Sequence, residues 1–440
     1  MNIVLDVQPF RGVRYTAAAG PWPSVVAPPY DVIDDVLRQK LAAANPYNIV
    51  QVDIAADGYD EAARRWNAWL RSGIVARESR PAFYAYQQVY NTSGSQRRLR
   101  WGLAAAVKLA AYEEGVVLPH ERTLARAKQD RLQLMRATRA QLSPVFGLCF
   151  GTGGDLDARL SAACAGPPAA EVADADGVEH RLWVLDDPEL VRELQALLRP
   201  ARVVIADGHH RYETALAFRD EQRAKLHGGW PERAAWNYVL MVLVDVDSPG
   251  MAIWPTHRIV RWLPCAEPEE LRRHWSGLFR LAPVEGAAPG IAAAEAARAL
   301  ENALAACREP GFAAYLRDGR GFVAALADPS AWRGAYADKP AAWRALDVAV
   351  VHGLALPAAG LDEAAQASGE VLSFTRSAAE AVAAVQRGEA AAALLVRPAP
   401  PQAVRDVALA GETLPQKSTY FYPKLLTGLV MSDLDTPVGL

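Results

Sequence analysis

The sequence predicts an α+β fold built on mixed sheets, and three observations carry that expectation. Phe83 to Tyr90 alternates, turns through Asn91-Thr-Ser-Gly-Ser95 and returns from Arg97 to Leu109, the pattern of a β-hairpin. Arg202-Val-Val-Ile-Ala-Asp207-Gly208, followed by an amphipathic run to Leu226, reads as strand, turn and helix. Beyond Cys265 the composition shifts to Ala-rich amphipathic helices with a second hairpin at 313–325, turning at Asp318-Gly319-Arg320-Gly321.

In chain order, the tandem Pro28-Pro29 fixes an extended, ordered loop within residues 1–33. Residues 34–44 read as a helix ended by Asn45-Pro46, 48–53 as a strand, and 59–72 as a helix with Trp66 and Leu70 on one face. A strongly charged helix follows Leu118-Pro119-His120-Glu121-Arg122-Thr123 and runs to about Gln141. Residues 145–150 are strand-like, Gly151-Thr-Gly-Gly154 is a turn, and a short hairpin surrounds His180-Arg181-Leu182-Trp183. Residues 237–246 and 253–260 are further strands. This organisation divides the chain into an N-terminal segment, 1–80, packing on a core, 81–262, and a C-terminal α/β region, 263–440. The tail from Pro415 is expected to return to the central cleft, because an exposed run of Tyr420, Phe421 and Tyr422 would be an unusual apolar patch.

With 440 residues the chain has room for two or three domains, and its 51% hydrophobic and 22% charged content is that of a soluble globular protein. A net charge of −3 argues against a general nucleic-acid or membrane-surface binder. The four cysteines form no CxxC pair, the N-terminus shows no signal peptide and no apolar stretch is long enough for a span. A cytoplasmic protein is expected, with no nucleic-acid or membrane partner, and a homodimer stays open.

Asp207, His209, His210 and Arg211 place four ionisable groups at a strand-to-helix turn, where Gly208 allows the turn and Asp207 can cap the helix. Burying such groups without a task is costly. Two chemistries suit them. One is a nucleotide-phosphate seat, with the helix N-terminus and Arg211 on the phosphate and Asp207 holding an imidazole tautomer or Mg²⁺. The other is a metal site with Asp207, His209 and His210 as ligands. Pro119-His120-Glu121 is not a zincin motif, since Leu124 stands where a second His belongs, and Glu121 is either a general base or a helix cap with Thr123. Arg122 and Arg126, one turn apart, are a phosphate-facing pair or a solvated face. Lys417-Ser418-Thr419 lacks the glycines of a P-loop, yet Lys417 in a folded-back tail would meet a phosphate or carboxylate. Thr256-His257-Arg258 ends a strand with polar groups, whereas His352 sits in an apolar helix pattern and reads as structural.

Ala27-Pro-Pro-Tyr-Asp-Val-Ile33, Asn45-Pro-Tyr-Asn48, Pro119-His-Glu121 with Lys128 and Asp130-Arg131, Ala206-Asp-Gly-His-His-Arg211, Pro255-Thr-His-Arg258 and Pro415-Gln-Lys-Ser-Thr-Tyr-Phe-Tyr-Pro-Lys424 together resemble the family called domain of unknown function 1015. The resemblance runs from Phe10 to Gly428, with Leu414 standing where Met is expected. Pro119-His-Glu121 followed by Asp207-Gly-His-His-Arg211 is also similar to the motif pair of free serine kinases of the ParB/sulfiredoxin-like superfamily. That second resemblance covers the middle third of the chain and implies a ParB/sulfiredoxin-like catalytic core within 81–262. It further implies a kinase moving phosphate from ATP or ADP to a hydroxyl, free L-serine first. Carried over, Glu121 is the catalytic base beside His120 and Asp207. Gly208, His209, His210 and Arg211 hold the phosphates, with Asp207 on Mg²⁺.

Positioned positive charge plus a carboxylate is what phosphoryl transfer needs. The chain offers Arg211, Lys417, Ser418 and Thr419 toward phosphate, and Tyr30, Asp31, His257 and Arg258 toward the small-molecule substrate. The rival readings are a metal-dependent phosphoester hydrolase and a nucleotide-binding regulator without turnover.

Overall fold

The computed structural model describes residues 4–92, 96–121, 125–227, 229–264, 267–332 and 336–439. The chain is a mixed α+β protein with several sheets. It divides into two compact units. The first comprises Met1–Pro119, Thr123–Ala252 and Pro423–Leu440, and the second His120–Arg122 and Ile253–Tyr422. The break thus lies at 252/253, ten residues before the expected boundary at 262/263, and the tail is divided between the units at 422/423.

The first unit is organised by a sheet whose strands are β1 (Val7–Gln8), β2 (Phe83–Asn91), β3 (Arg97–Lys108), β4 (Val117–Leu118), β5 (Val145–Phe150), β6 (Ala170–Ala173), β7 (Glu179–Leu185), β8 (Arg202–Asp207) and β9 (Tyr238–Asp245). Their order is β4-β8-β5-β9-β3-β2-β7-β6, with β1 also on β3. β9 runs parallel to β5 but antiparallel to β3, and β8 parallel to β4, so the sheet is mixed. The predicted hairpins form as β2/β3, with Tyr84 opposite Ala104, and as β6/β7. Val203, Val204 and Ile205 of β8 are fully buried, as expected for a β-branched run flanked on both edges.

Helices α1 (Asp35–Ala44), α2 (Val50–Asp53), α3 (Tyr59–Arg71), α4 (Ala125–Thr138) and α5 (His209–Ala224) complete the elements that bear on the site. α1 is capped by Asp34, whose carboxylate accepts from the Leu37 amide. Residues 48–53, read as a strand, form the helical turn α2. The Asn48 side chain accepts from the Val50 amide and donates to the Ser24 and Val26 carbonyls, and this local capping outweighs the β-branched propensity. α3 buries Trp66 and Trp69, leaving Leu70 half-buried. α4 ends at Thr138 because Arg139 turns left-handed at φ 49°, and Ala140–Gln141 then pair with Ser432–Asp433. The turn residues 93–95, Arg122, Thr123, the Arg126 side chain and Cys265 lie outside the described residues.

In the second unit β10 (His257–Val260), β11 (Phe279–Pro283), β12 (Gly311–Leu316), β13 (Gly321–Leu326), β14 (Leu372–Thr375) and β15 (Ala392–Leu395) form an antiparallel sheet of order β11-β13-β12-β15-β10-β14. The single strand expected over 253–260 is broken, because Pro255 has no N–H to donate; 252–254 and β10 lie in different sheets. Helices α6 (Ala293–Ala306) and α7 (Ala378–Gln386) cover one face, packing Leu300, Leu304 and Val382 on Tyr315, Val323 and Leu395. Their many alanines let the helices approach closely, and each buried leucine contributes about 2 kcal/mol. Among the described residues no helix is long and apolar enough to cross a membrane.

Candidate functional site

The first cluster lies where β8 gives way to α5. Gly208 takes φ 91°, a left-handed conformation that glycine adopts without strain, and a Cβ there would stand 2.9 Å from the Arg211 guanidinium. Asp207 does not cap α5: Gly208 occupies the N-cap without a side-chain bond. The Asp207 carboxylate lies instead between two cations. Its Oδ2 accepts from Arg211 Nη2 at 2.7 Å and its Oδ1 from Lys424 Nζ at 2.6 Å. Burial opposes ionisation, but Lys424, Arg211 and then His209 outweigh it and hold the carboxyl well below the usual range. Arg211 also donates to Ser143 Oγ at 2.6 Å and to the Pro144 carbonyl, while its buried Nε has no hydrogen-bond partner among the described residues. His209 and His210 open α5, half-buried.

A small pocket beside Arg211 is lined by Tyr30, Asp53, Arg131, Ser143 and Thr214, among others. Arg131 donates to Asp53 Oδ1 at 3.1 Å and lies 4.5 Å from the centre of the Tyr30 ring. Burial pushes the Asp53 carboxyl up, against the pull of Arg131 and Arg211, and pushes the Tyr30 phenol up as well. Asp31 follows Tyr30 on a 3-10 turn and is exposed.

The second cluster belongs to the other unit. His120, fully buried, meets Thr419 Oγ1 through Nε2 at 2.8 Å, and its carbonyl accepts from the Leu414 amide. Glu121 bridges to Leu414 and acts electrostatically on Arg258, whose guanidinium is wholly buried and pushed down to about 9 by burial. Arg258 donates through Nε to His352 Nε2 at 3.0 Å and also to the Thr256 carbonyl. His352 Nδ1 in turn meets Gln366 Oε1 at 2.8 Å. Burial, then the Arg258 charge, push His352 down to about 3, so the imidazole is neutral and accepts from Arg258. Lys417 sits at φ 56° with an exposed side chain, and its carbonyl lies 3.4 Å from Arg258 Nη2. Ser418 Oγ donates to the Pro415 carbonyl at 2.5 Å.

His257 and Arg258 alternate along β10. His257 Nε2 is 3.9 Å from Glu301 of α6, whereas Arg258 meets His352, so the two point to opposite faces of the sheet. The His257 ring, pushed down to about 4 by burial and by Arg258, accepts from the Val396 amide at Nδ1.

The structure therefore gathers Asp207, Gly208, His209, His210 and Arg211 with Tyr30 in one unit. It gathers His120, Glu121, Arg258, Lys417, Ser418 and Thr419 in the other. Asp53 and Lys424 are additions to the site residues expected from sequence, and His352, read there as structural, partners Arg258. In sequence, Lys424 showed only as the last residue of the Pro415–Lys424 motif, a charge closing an aromatic run. Among the described residues no group of three or more His, Cys, Asp and Glu is placed to hold a metal ion. Asp207, His209 and His210 are therefore not such a group, and each Asp207 oxygen meets a cation.

The profile of the family described as Protein of unknown function (DUF1015) matches residues 7–349. Among solved structures, a conserved hypothetical protein from Pyrococcus furiosus is similar over 73% of this chain and 93% of its own, at 13% identity and TM-score 0.34. A free serine kinase in complex with AMP is similar over 70% and 84%, at 12% identity and TM-score 0.35. SbnI with a C-terminal truncation, from Staphylococcus aureus, is similar over 73% and 84%, at 12% identity and TM-score 0.33. No curated protein matches the chain.

Proposed function

The chain belongs to the family described as Protein of unknown function (DUF1015), a name that assigns no chemistry, and from that premise we propose that it is a nucleotide-dependent small-molecule phosphotransferase. The observation that carries this reading is the start of α5. There an ionised Asp207 is flanked by two cations, beside a left-handed Gly208 and the amides of a 16-residue helix. Helix N-termini with a fixed guanidinium favour phosphate oxygens. ATP or ADP is the donor, held at Gly208, His209, His210 and Arg211, with Lys417, Ser418 and Thr419 as further phosphate contacts.

The acceptor is a small hydroxyl compound, free L-serine first, and Tyr30, Asp31 and Arg258 are assigned to it, while His257 lies on the opposite face of β10 from Arg258. Glu121 takes the hydroxyl proton as the acceptor oxygen bonds to the terminal phosphorus, and the electron pair of the broken P–O bond leaves with the nucleotide. The Arg258 guanidinium and the Glu121 carboxylate act on each other electrostatically within the same unit. Motif similarity to free serine kinases supports the same roles.

Phosphorus NMR of the pure protein with MgCl₂ and ATP, then ADP, against a pool of amino acids and hydroxy acids tests this. The expected outcome is a new phosphomonoester signal that grows with one acceptor. Glu121→Gln and Asp207→Asn should each lower its rate by about a hundredfold or more. A rate that neither substitution changes overturns the assignment. Nucleotide that binds but stays intact with every acceptor favours the regulator, and acceptor-independent release of phosphate the hydrolase.

A further inference from the structure

Three strands of the first unit carry a buried polar row with no place in the chemistry above. Gln88 of β2 stands opposite Arg100 of β3 and opposite His180 of β7. Arg100, 1% exposed, donates through Nε to Gln88 Oε1 at 3.0 Å and through Nη2 to the Pro423 carbonyl at 2.5 Å. Gln88 Nε2 donates to the Lys424 carbonyl at 2.9 Å. Two residues along β2, Tyr86 Oη accepts from the Leu426 amide at 3.2 Å and meets His180 Nδ1 at 2.7 Å. His180 Nε2 is 3.0 Å from Asp174 Oδ2, which fixes the tautomer: Nε2–H donates to Asp174, and Nδ1 accepts from Tyr86.

Three members of this row end on the backbone of 423–426: Arg100 on the Pro423 carbonyl, Gln88 on the Lys424 carbonyl and Tyr86 on the Leu426 amide. Burying a guanidinium against neutral acceptors is costly, and an apolar pair would hold the sheet equally well. What the row adds is a fixed position for Lys424, whose Nζ then reaches Asp207 at 2.6 Å. Besides burial, the groups that act most strongly on Asp207 are Lys424, Arg211 and His209, all cationic when charged. One carboxylate thus anchors two cations at the positive end of α5, a composition suited to an anion carrying more than one charge.

We infer that Lys424 is a phosphate-binding residue for a di- or triphosphate ligand at the Asp207 site, and that Arg100, Gln88, Tyr86 and His180 are positioning residues that hold its backbone. This rests on the reading of the α5 start as a phosphate seat, and it adds a cation that the nucleotide contacts named above do not include.

Calorimetric titration of the full chain with inorganic pyrophosphate and with ADP tests it, using wild type, K424M, K424R, D207N and the D207N/K424M pair. K424M should weaken both ligands by about tenfold or more, the loss of a charge-assisted contact. K424R should recover affinity to within about threefold of wild type, since the charge returns with altered reach. If Lys424 served only to neutralise Asp207, K424M would have no effect in the D207N background, and that result overturns the inference. So does K424M binding as wild type does, or a wild type that binds neither ligand. Should K424M not fold, protection of Lys424 from reductive methylation by pyrophosphate in the wild type reads the same contact, and absence of protection overturns it. Loss of binding in K424M without phosphoryl transfer by the wild type would leave the inference standing and remove the kinase.

Discussion

Asp157 allows a stability prediction whose sign and size both follow from geometry. Its Oδ2 accepts from Ser248 Oγ at 2.6 Å, while its buried Oδ1 has no hydrogen-bond partner among the described residues. Burial, helped by nearby Asp245 and opposed by the Ser248 bond, pushes the carboxyl from its ordinary 3.8 up to about 6. A carboxyl raised in this way binds its proton more tightly folded than unfolded. Its stabilising contribution is therefore fully present below pH 3.8 and is lost as pH rises through about 6. Unscreened, the shift corresponds to about 3 kcal/mol. Asp157 is only half-buried, and solvent screening reduces this to about 1–2 kcal/mol. Asp157→Asn keeps the acceptor for Ser248 and removes the charge. Relative to wild type, the variant should gain about 2–8 °C more in Tm at pH 8 than at pH 4, taking about 2–4 °C per kcal/mol for a unit of this size. Thermal unfolding of both proteins at the two pH values measures that difference. A difference between variant and wild type that is the same at both pH values refutes the ionisation argument, because a packing effect does not titrate. A relative loss at pH 8 refutes it more strongly, since the charge would then be in use.

Two further outcomes test the clusters separately. Gly208→Ala places a Cβ at φ 91° and 2.9 Å from the Arg211 guanidinium, so it should cost about 1–3 kcal/mol and loosen Arg211 from Asp207. Chemical denaturation reads the loss, and an unchanged midpoint would show that the turn tolerates a side chain. His352→Leu removes the acceptor of the wholly buried Arg258 Nε, at a cost of about 1–3 kcal/mol. The same measurement checks it, and full stability would mean that another group can take that proton.

Much of the first unit was legible because its signals are local. The alternating β2/β3 hairpin, the β-branched β8 and the Asp34-capped α1 each depend on residues within a few positions. The misreadings arose where a side chain competed with backbone propensity, as Asn48 does in turning 48–53 into a helical turn, or where one proline divided a run, as Pro255 does. The cluster at Asp207–Arg211 was also legible, from the density of ionisable groups at one turn. Its internal wiring was not. Asp207 looked like a helix cap or a metal ligand; the structure puts Gly208 at the N-cap and pairs Asp207 with Arg211 and Lys424.

The sequence by itself determined the α+β class, the family and the segments in which chemistry is concentrated, because period, turn residues and contiguous motifs are written along the chain. Tertiary structure alone decided which charges share a carboxylate. Lys424 is 217 residues from Asp207, and it arrives there through a backbone held by Arg100 and Gln88. It also decided that His257 and Arg258, adjacent in sequence, face opposite sides of β10, and that Arg258 is completed by His352, 94 residues away. Such pairings depend on strand order and side-chain alternation, which bring distant residues into contact and separate neighbours.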